Sequence, residues 1–132
     1  METTSKLKVS GVAFTGYPVT DIARARAFYE NVLNLKLTAD NEHEGRHWVE
    51  YDIGATTLAI SNMSQDRWKP TSDGPSIALE MEDFPAAVAA LRAAGATFSL
   101  EPFDTTVCWI GVVLDPDGNA VTIHKCHPET KS

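Results

Sequence analysis

The chain has 132 residues, of which 43% are hydrophobic and 22% are charged. This is the composition of an ordinary globular domain, and it excludes a disordered, collagen-like or coiled-coil protein. The length predicts a single domain over residues 1–132. A net charge of -7 repels phosphate backbones and anionic membranes, so we expect neither nucleic acid nor a membrane surface as a partner. A neutral or cationic small molecule fits this sign better.

The sequence also indicates the compartment. Residues 1–10 contain no apolar signal segment, and no stretch approaches 18 consecutive apolar residues. We therefore expect a cytoplasmic protein without a membrane span. The two cysteines, Cys108 and Cys126, are too few for a disulfide framework and lack the CxxC spacing of a zinc site, so we expect two thiols.

The first half of the chain predicts a strand, a helix and three strands. Residues 9–19 are rich in β-forming side chains and end at Thr20 and Asp21, which favour a helix N-cap. Apolar residues then recur every three or four positions in DIARARAFYENVLNL, the pattern of an amphipathic helix. Beyond the helix we expect a polar loop over residues 40–46 and strands over residues 35–38, 48–53 and 57–61.

The second half predicts the same order after a polar stretch at residues 62–74, which is typical of a linker or of a flap over a cleft. Asp83 caps a helix that stops at Gly95. Strands are expected over residues 76–82, 98–105, 108–114 and 120–126. The sequence DPDGN between the last two strands predicts a hairpin turn, and pairing Leu114 with Ala120 places Cys108 opposite Cys126.

The two helix caps lie 62 positions apart, which indicates an internal duplication. Module one covers about residues 8–62, the linker residues 63–75, and module two about residues 76–127. We therefore predict an α+β fold in which two βαβββ modules form a curled mixed sheet around a cleft, with the helices on the outer face. A cleft of this kind is where a ligand binds.

Four segments resemble one superfamily in their joint order and spacing: PVTD leading into RAFYENVLNL, WVEYDIGATTLAI, IALEMEDFPAAVAALRAAG and DPDGN. The sequence resembles the vicinal oxygen chelate superfamily, which includes glyoxalase I, extradiol dioxygenases, fosfomycin-resistance enzymes and bleomycin-resistance proteins. The resemblance covers nearly the whole chain. It implies a homodimer, often with clefts built by both chains. It also implies a divalent metal held by a His on the first strand, a His or Glu opening the second module, and carboxylates on the last strand of each module.

The residues at those four positions are unsuited to a metal. The resemblance places Phe14, Ala59, Ser76 and Thr122 there. Phe and Ala have no donor atom, and neutral hydroxyls are poor sole ligands for a transition metal. We therefore expect no metal and no cofactor, a loss that the bleomycin-resistance branch of binding proteins shares. We also expect no specific metal site at two other groups of potential ligands, His43 with His47, and His124 with Cys126 and His127.

Strand alternation identifies the side chains that face the cleft. His124 is a candidate general base or anchor, and Glu80 a candidate acid/base or cation-binding group. Trp48 and Glu50 share one strand face and suit a planar cation, while Trp68 is a candidate lid. Each of these residues also has a purely structural interpretation. His124 is then a strand histidine whose hydrogen bonds are satisfied, Glu80 a carboxylate at the rim of the cleft, and each tryptophan a residue of the core or of a dimer interface. The predicted ligand-binding residues are Phe14, Trp48, Glu50, Ser76, Glu80, Trp109, Thr122 and His124.

The leading hypothesis is a metal-independent protein that binds, and sequesters, an aromatic or cationic small molecule, as in antibiotic resistance. The alternative is an enzyme: a lyase, isomerase or dioxygenase with a non-standard metal or with His124 or Glu80 as acid/base. A third hypothesis is an accessory interaction module whose cleft is filled by its own aromatic side chains.

Overall fold

The computed structural model describes residues 7–128 of the chain. Eight strands form two four-stranded mixed sheets, ordered β1-β4-β3-β2 and β5-β8-β7-β6. The first sheet and its helix consist of β1 (Thr15–Pro18), α1 (Ile22–Arg26) with a π-helical continuation (Ala27–Val32), β2 (Leu37–His43), β3 (Arg46–Ile53) and β4 (Thr56–Ser61). The second consists of β5 (Ala78–Glu80), α2 (Phe84–Ala93), β6 (Thr97–Asp104), β7 (Cys108–Leu114) and β8 (Ala120–Cys126).

The duplication predicted from the sequence is confirmed down to the strand register. In each sheet the first strand pairs in parallel with the last, and Gly16 opposite Ala59 in the first sheet corresponds to Ala78 opposite Thr122 in the second. The predicted hairpin register is also confirmed, since Leu114 lies opposite Ala120 and Cys108 opposite Cys126. The two open faces therefore present equivalent positions.

The helix boundaries follow from local side-chain chemistry. The Asp21 carboxylate accepts a hydrogen bond from the backbone N–H of Arg24, and Asp83 does the same for Ala86, each at 3.0 Å. The second helix ends where Gly95 adopts a φ of +79°, a conformation that costs glycine little. In the first helix the backbone widens to a π-helix from Ala27 onward, which the apolar spacing did not predict.

Two sequence predictions in the first module were wrong. The first strand is limited to Thr15–Pro18, and residues 7–14 lie outside the sheets. The expected polar loop at residues 40–46 is instead the hairpin between β2 and β3, whose turn residues Glu44 and Gly45 have φ of +52° and +80°. β2 lies at the edge of its sheet and is largely exposed, so its strand side chains are polar and lack the apolar alternation used for prediction.

One apolar core lies on the helix side of both sheets. Its largest fully buried side chains include Tyr29, Tyr51, Leu58, Ile60 and Ile123. The opposite face of each sheet, which we call its open face, is only partly covered. Ala59, Ser61 and Thr122 are buried there, whereas Leu100 and Phe103 remain more than 40% exposed.

The DPDGN turn joins the two modules through buried hydrogen bonds. Asp115, only 4% exposed, accepts from the Tyr29 hydroxyl at 2.8 Å and from the Asn119 side-chain amide at 2.9 Å. That amide also donates to the Pro18 carbonyl at 2.7 Å. Burial and the adjacent Asp115 raise the pKa of Tyr29 well above its usual value. The motif therefore fixes β1 and its helix against the second sheet.

Candidate functional site

An aromatic surface occupies the open face of the first sheet. Trp48 and Glu50 project from β3 on this face, as expected, and the Trp48 indole N–H donates to the Glu50 carboxylate at 2.8 Å. The ring of Phe14 meets Trp48 edge-on with centroids 5.2 Å apart. Phe14 remains 49% exposed. The structure thus brings together three of the predicted site residues.

The segment between the modules contributes a third ring. Trp68 packs so closely against Gly16 on β1 that a Cβ added at Gly16 would lie 2.9 Å from Trp68 Cη2 and 3.5 Å from the Phe14 ring. Gly16 is therefore a point of close approach between the segment at residues 62–74 and the sheet. We call Phe14, Trp48 and Trp68 the aromatic cluster.

A cleft of about 410 Å³ lies between β1 and this segment. Gly16 and Trp68 form part of its wall, and Lys69, Ser76 and Asn119 supply polar groups. The Asn119 side-chain oxygen also accepts the backbone N–H of Thr71 at 3.2 Å, which ties the segment to the second module. The sequence analysis did not predict Lys69 or Asn119 as site residues. Lys69 lies in the polar segment at residues 62–74 and Asn119 is the last residue of the DPDGN motif, so both stood in segments that had been identified.

The open face of the second sheet carries hydrogen-bonded polar side chains. The hydroxyls of Ser76 and Thr122 lie 2.9 Å apart, and His124 Nδ1 lies 2.6 Å from Glu80 Oε1. The second Glu80 oxygen accepts the backbone N–H of Cys126 at 3.0 Å. The hydrogen bonds from His124 and then Cys126 lower the pKa of Glu80 from its ordinary value. Glu80 is thus held as an oriented carboxylate beside an imidazole.

Trp109 does not join these residues. Its neighbour Ile110 lies opposite His124, so Trp109 occupies the helix side of the second sheet. There it packs against the core and against the His127 ring, with centroids 3.8 Å apart. The register predicted from the DPDGN turn pairs residue 110 on β7 with residue 124 on β8. Because neighbouring residues of a strand point to opposite faces, this register would have assigned Trp109 to the face opposite His124.

The register also identifies apolar residues that sequence reasoning missed on the second open face. Ile110 faces Phe103, and Val112 faces Leu100, all on the side of His124. Leu100 and Phe103 are 41% and 49% exposed. The outer half of this face is therefore apolar, and its inner half is polar.

The residues at the superfamily's metal positions do not fit a divalent metal. Phe14 and Ala59 offer no donor atom, and the Ser76 and Thr122 hydroxyls are hydrogen-bonded to each other. Within residues 7–128, no three His, Cys, Asp or Glu side chains are grouped closely enough to hold an ion. Over the same residues, no helix has the length and apolar character needed to cross a bilayer.

Comparisons with solved structures agree with this architecture. TnmS3, an antibiotic binding protein from Streptomyces sp. CB03234, is similar with a TM-score of 0.76 at 22% identity, over 92% of this chain and 99% of that chain. A putative glyoxalase family protein from Bacillus anthracis matches with a TM-score of 0.77 at 15% identity, over 93% of this chain and 100% of that chain. A superfamily member from Sphaerobacter thermophilus DSM 20745 matches with a TM-score of 0.73 at 25% identity, over 90% and 99% of the two chains.

Comparison with the curated proteins finds no match. The family model described as Glyoxalase/Bleomycin resistance protein/Dioxygenase superfamily matches residues 11–123, a range that includes both sheets up to Ile123. Sequence, duplicated fold and structural neighbours therefore agree, and the chain belongs to the Glyoxalase/Bleomycin resistance protein/Dioxygenase superfamily.

Proposed function

We propose that the protein binds and sequesters a small aromatic or cationic compound, and that it does so without a metal. The observation that carries this proposal is the aromatic cluster beside the cleft, where Trp68 from the linker packs on Gly16 of β1. Aromatic walls with a few polar groups are the usual construction of a small-molecule site. The net charge of -7, and Glu50 beside Trp48 in the aromatic cluster, favour a cation there. Lys69 in the cleft wall favours a neutral or polar group of the same ligand.

Sequestration requires affinity and no bond-making step, so a site without metal ligands is sufficient for it. TnmS3, which shares the fold, is described as an antibiotic binding protein, and this supports the proposal that the present chain also binds a small molecule. We expect the cytoplasm as the site of action. Protection against an antibiotic follows if the ligand is toxic.

The binding site is tested by titrating the protein with planar cationic aromatic drugs, including bleomycin-type compounds, and following tryptophan fluorescence and thermal unfolding. We expect saturable binding that Trp68→Ala weakens about tenfold or more, because losing an aromatic contact to a cationic ring costs about 1–2 kcal/mol. Trp109→Phe is the matched control, since Trp109 lies on the other face of the second sheet. The absence of binding across the panel, or equal loss in both variants, contradicts this site.

Metal independence is tested separately. Protein purified without a His-tag should contain no stoichiometric Zn, Fe, Mn or Ni, and dialysis against EDTA should leave the affinity unchanged, because Phe14 and Ala59 cannot coordinate an ion. Elemental analysis and repeated titration measure this. A stoichiometric ion, or binding that requires added metal, favours the enzyme hypothesis below.

The second candidate function is that of a lyase, isomerase or dioxygenase, and the Glu80–His124 pair favours it. A carboxylate 2.6 Å from Nδ1 orients the imidazole and leaves Nε2 as the nitrogen for proton transfer. Turnover of any substrate of the superfamily's enzymes, abolished by His124→Ala with ligand affinity retained, would establish this function. Equal turnover by the wild type and the variant would exclude His124 as its acid/base.

A further inference from the structure

Cys108 and Cys126 lie directly opposite each other on β7 and β8. The next pair along the ladder is Val107 and His127, and the backbone N–H of His127 donates to the Val107 carbonyl at 3.0 Å. This neighbouring pair is therefore the hydrogen-bonded one. The cysteines therefore occupy a non-hydrogen-bonded position of the antiparallel ladder. At such positions the Cα atoms are about 4.5 Å apart and the side chains approach most closely. A disulfide requires about 4.4–6.8 Å between Cα atoms, so the backbone already meets this requirement.

The two thiols differ in accessibility, which gives each a separate role in an exchange reaction. Cys126 is only half-buried near the end of β8, whereas Cys108 is buried with its sulfur 3.2 Å from the Thr105 hydroxyl. An incoming disulfide therefore reaches Cys126 first. Bridges across neighbouring strands are strained, and strained disulfides have the higher reduction potentials that make them reversible.

We propose that Cys108 and Cys126 form a reversible redox site that closes to an intrachain disulfide. The Cys126 thiolate attacks a low-molecular-weight disulfide such as glutathione disulfide, forming a mixed disulfide and releasing one glutathione thiolate. The Cys108 thiolate then attacks the Cys126 sulfur, forming the bridge and releasing the second glutathione. The protein loses two protons and two electrons, and the glutathione disulfide is reduced to two thiols.

This site is connected to the candidate acid/base pair through the backbone. The N–H of Cys126 donates to Glu80 Oε2, and Glu80 Oε1 lies 2.6 Å from His124. Closing the bridge therefore changes the covalent surroundings of a residue whose backbone N–H is hydrogen-bonded to Glu80.

The test equilibrates the native protein in glutathione buffers of increasing oxidised fraction, quenches with an alkylating agent, and measures mass and peptide linkage. We expect loss of both alkylatable thiols, a mass decrease of about 2 Da for the two hydrogens, a peptide joining Cys108 to Cys126, and full reversal by dithiothreitol. A shift of the Glu80 carboxyl NMR signal should accompany closure.

The matched control is the double variant Cys108→Ser with Ile110→Cys, which keeps two thiols on the same strands and the same face. Its cysteines occupy diagonal positions about 7–8 Å apart, beyond the Cα separation that a disulfide spans. We expect it to stop at mixed disulfides. The proposal is overturned if the wild type retains both thiols or stops at a mixed disulfide, or if the control closes as readily. The wild-type measurement alone is decisive if the control does not fold.

Discussion

At the residue scale, the Glu80–His124 pair is held by strand register. Residue 80 lies opposite residue 124 on adjacent parallel strands, so the two side chains share a face and meet at 2.6 Å. Glu80 remains more than half exposed, so water screens the charge of the pair and its contribution to stability is small. The pair can instead be detected through the pKa of Glu80, which is lowered by the hydrogen bonds with His124 and with the Cys126 backbone.

His124→Ala is expected to raise the pKa of Glu80 toward its ordinary value, because the hydrogen bond with His124, the strongest of the interactions that lower this pKa, is lost. A folded pKa below the unfolded one stabilises the native state at neutral pH. That contribution is lost as the pH falls through the unfolded value and then the folded one. The variant should therefore lose less stability on acidification. Carboxyl NMR titration measures the pKa, and urea unfolding at several pH values measures the stability.

His43→Ala is the control for this titration, because His43 is 78% exposed in the hairpin of the other sheet. It should leave the titration of Glu80 unchanged. An unaltered Glu80 pKa in His124→Ala would show that the pair does not persist in solution.

At the element scale, the close approach of Trp68 to Gly16 of β1 is one of the contacts that position the segment between the modules, together with the hydrogen bond from Thr71 to Asn119. Gly16→Ala places a methyl group 2.9 Å from Trp68 Cη2, so the indole must move away from the strand. We expect a shift in tryptophan emission and weaker ligand binding. Gly11→Ala is the control, since an added Cβ there meets nothing within 4 Å. Unchanged emission in Gly16→Ala would contradict the packing of Trp68 on β1.

Helices and strands could be predicted from the sequence where their boundaries depend on local side-chain chemistry. Asp21, Asp83 and Gly95 act through local chemistry, so the helix ends could be read from the sequence. Only the beginning of β2 was predicted, within the strand expected at residues 35–38. The rest was predicted as a loop, because an exposed edge strand needs no apolar alternation and its polar residues are those of a loop. The DPDGN turn predicted the register of β7 and β8 correctly.

The candidate site was predictable where strand alternation determines it and not where a tertiary contact does. The shared face of Trp48 and Glu50 follows from the two-residue period of a strand. The same period places Glu80 and His124 on cleft faces, but their contact also requires the parallel pairing of β5 with β8, which alternation does not predict. The packing of Trp68 on Gly16 brings together two residues 52 positions apart, and no local pattern encodes it. The same holds for Asn119, whose amide connects β1 to the turn.

At the scale of the whole molecule, each sheet packs one face on the common core, and its other face is only partly covered. The open face of the second sheet combines the apolar residues of β6 and β7 with the polar residues of β5 and β8. Leu100 and Phe103 are both more than 40% exposed on it. Exposed apolar side chains grouped on one face of a sheet are typical of an interaction site.

We expect a second copy of the chain to cover this apolar surface, giving a homodimer at micromolar concentration, as the resemblance to the superfamily implies. Phe103→Glu should shift the protein toward the mass of one chain, because a charge buried in an apolar interface is costly to desolvate. Val9→Glu is the control, since Val9 is 80% exposed and lies outside both sheets. Size-exclusion chromatography with light scattering distinguishes the two masses. A wild-type monomer, or a Phe103→Glu dimer, would show that this surface faces solvent or the ligand instead.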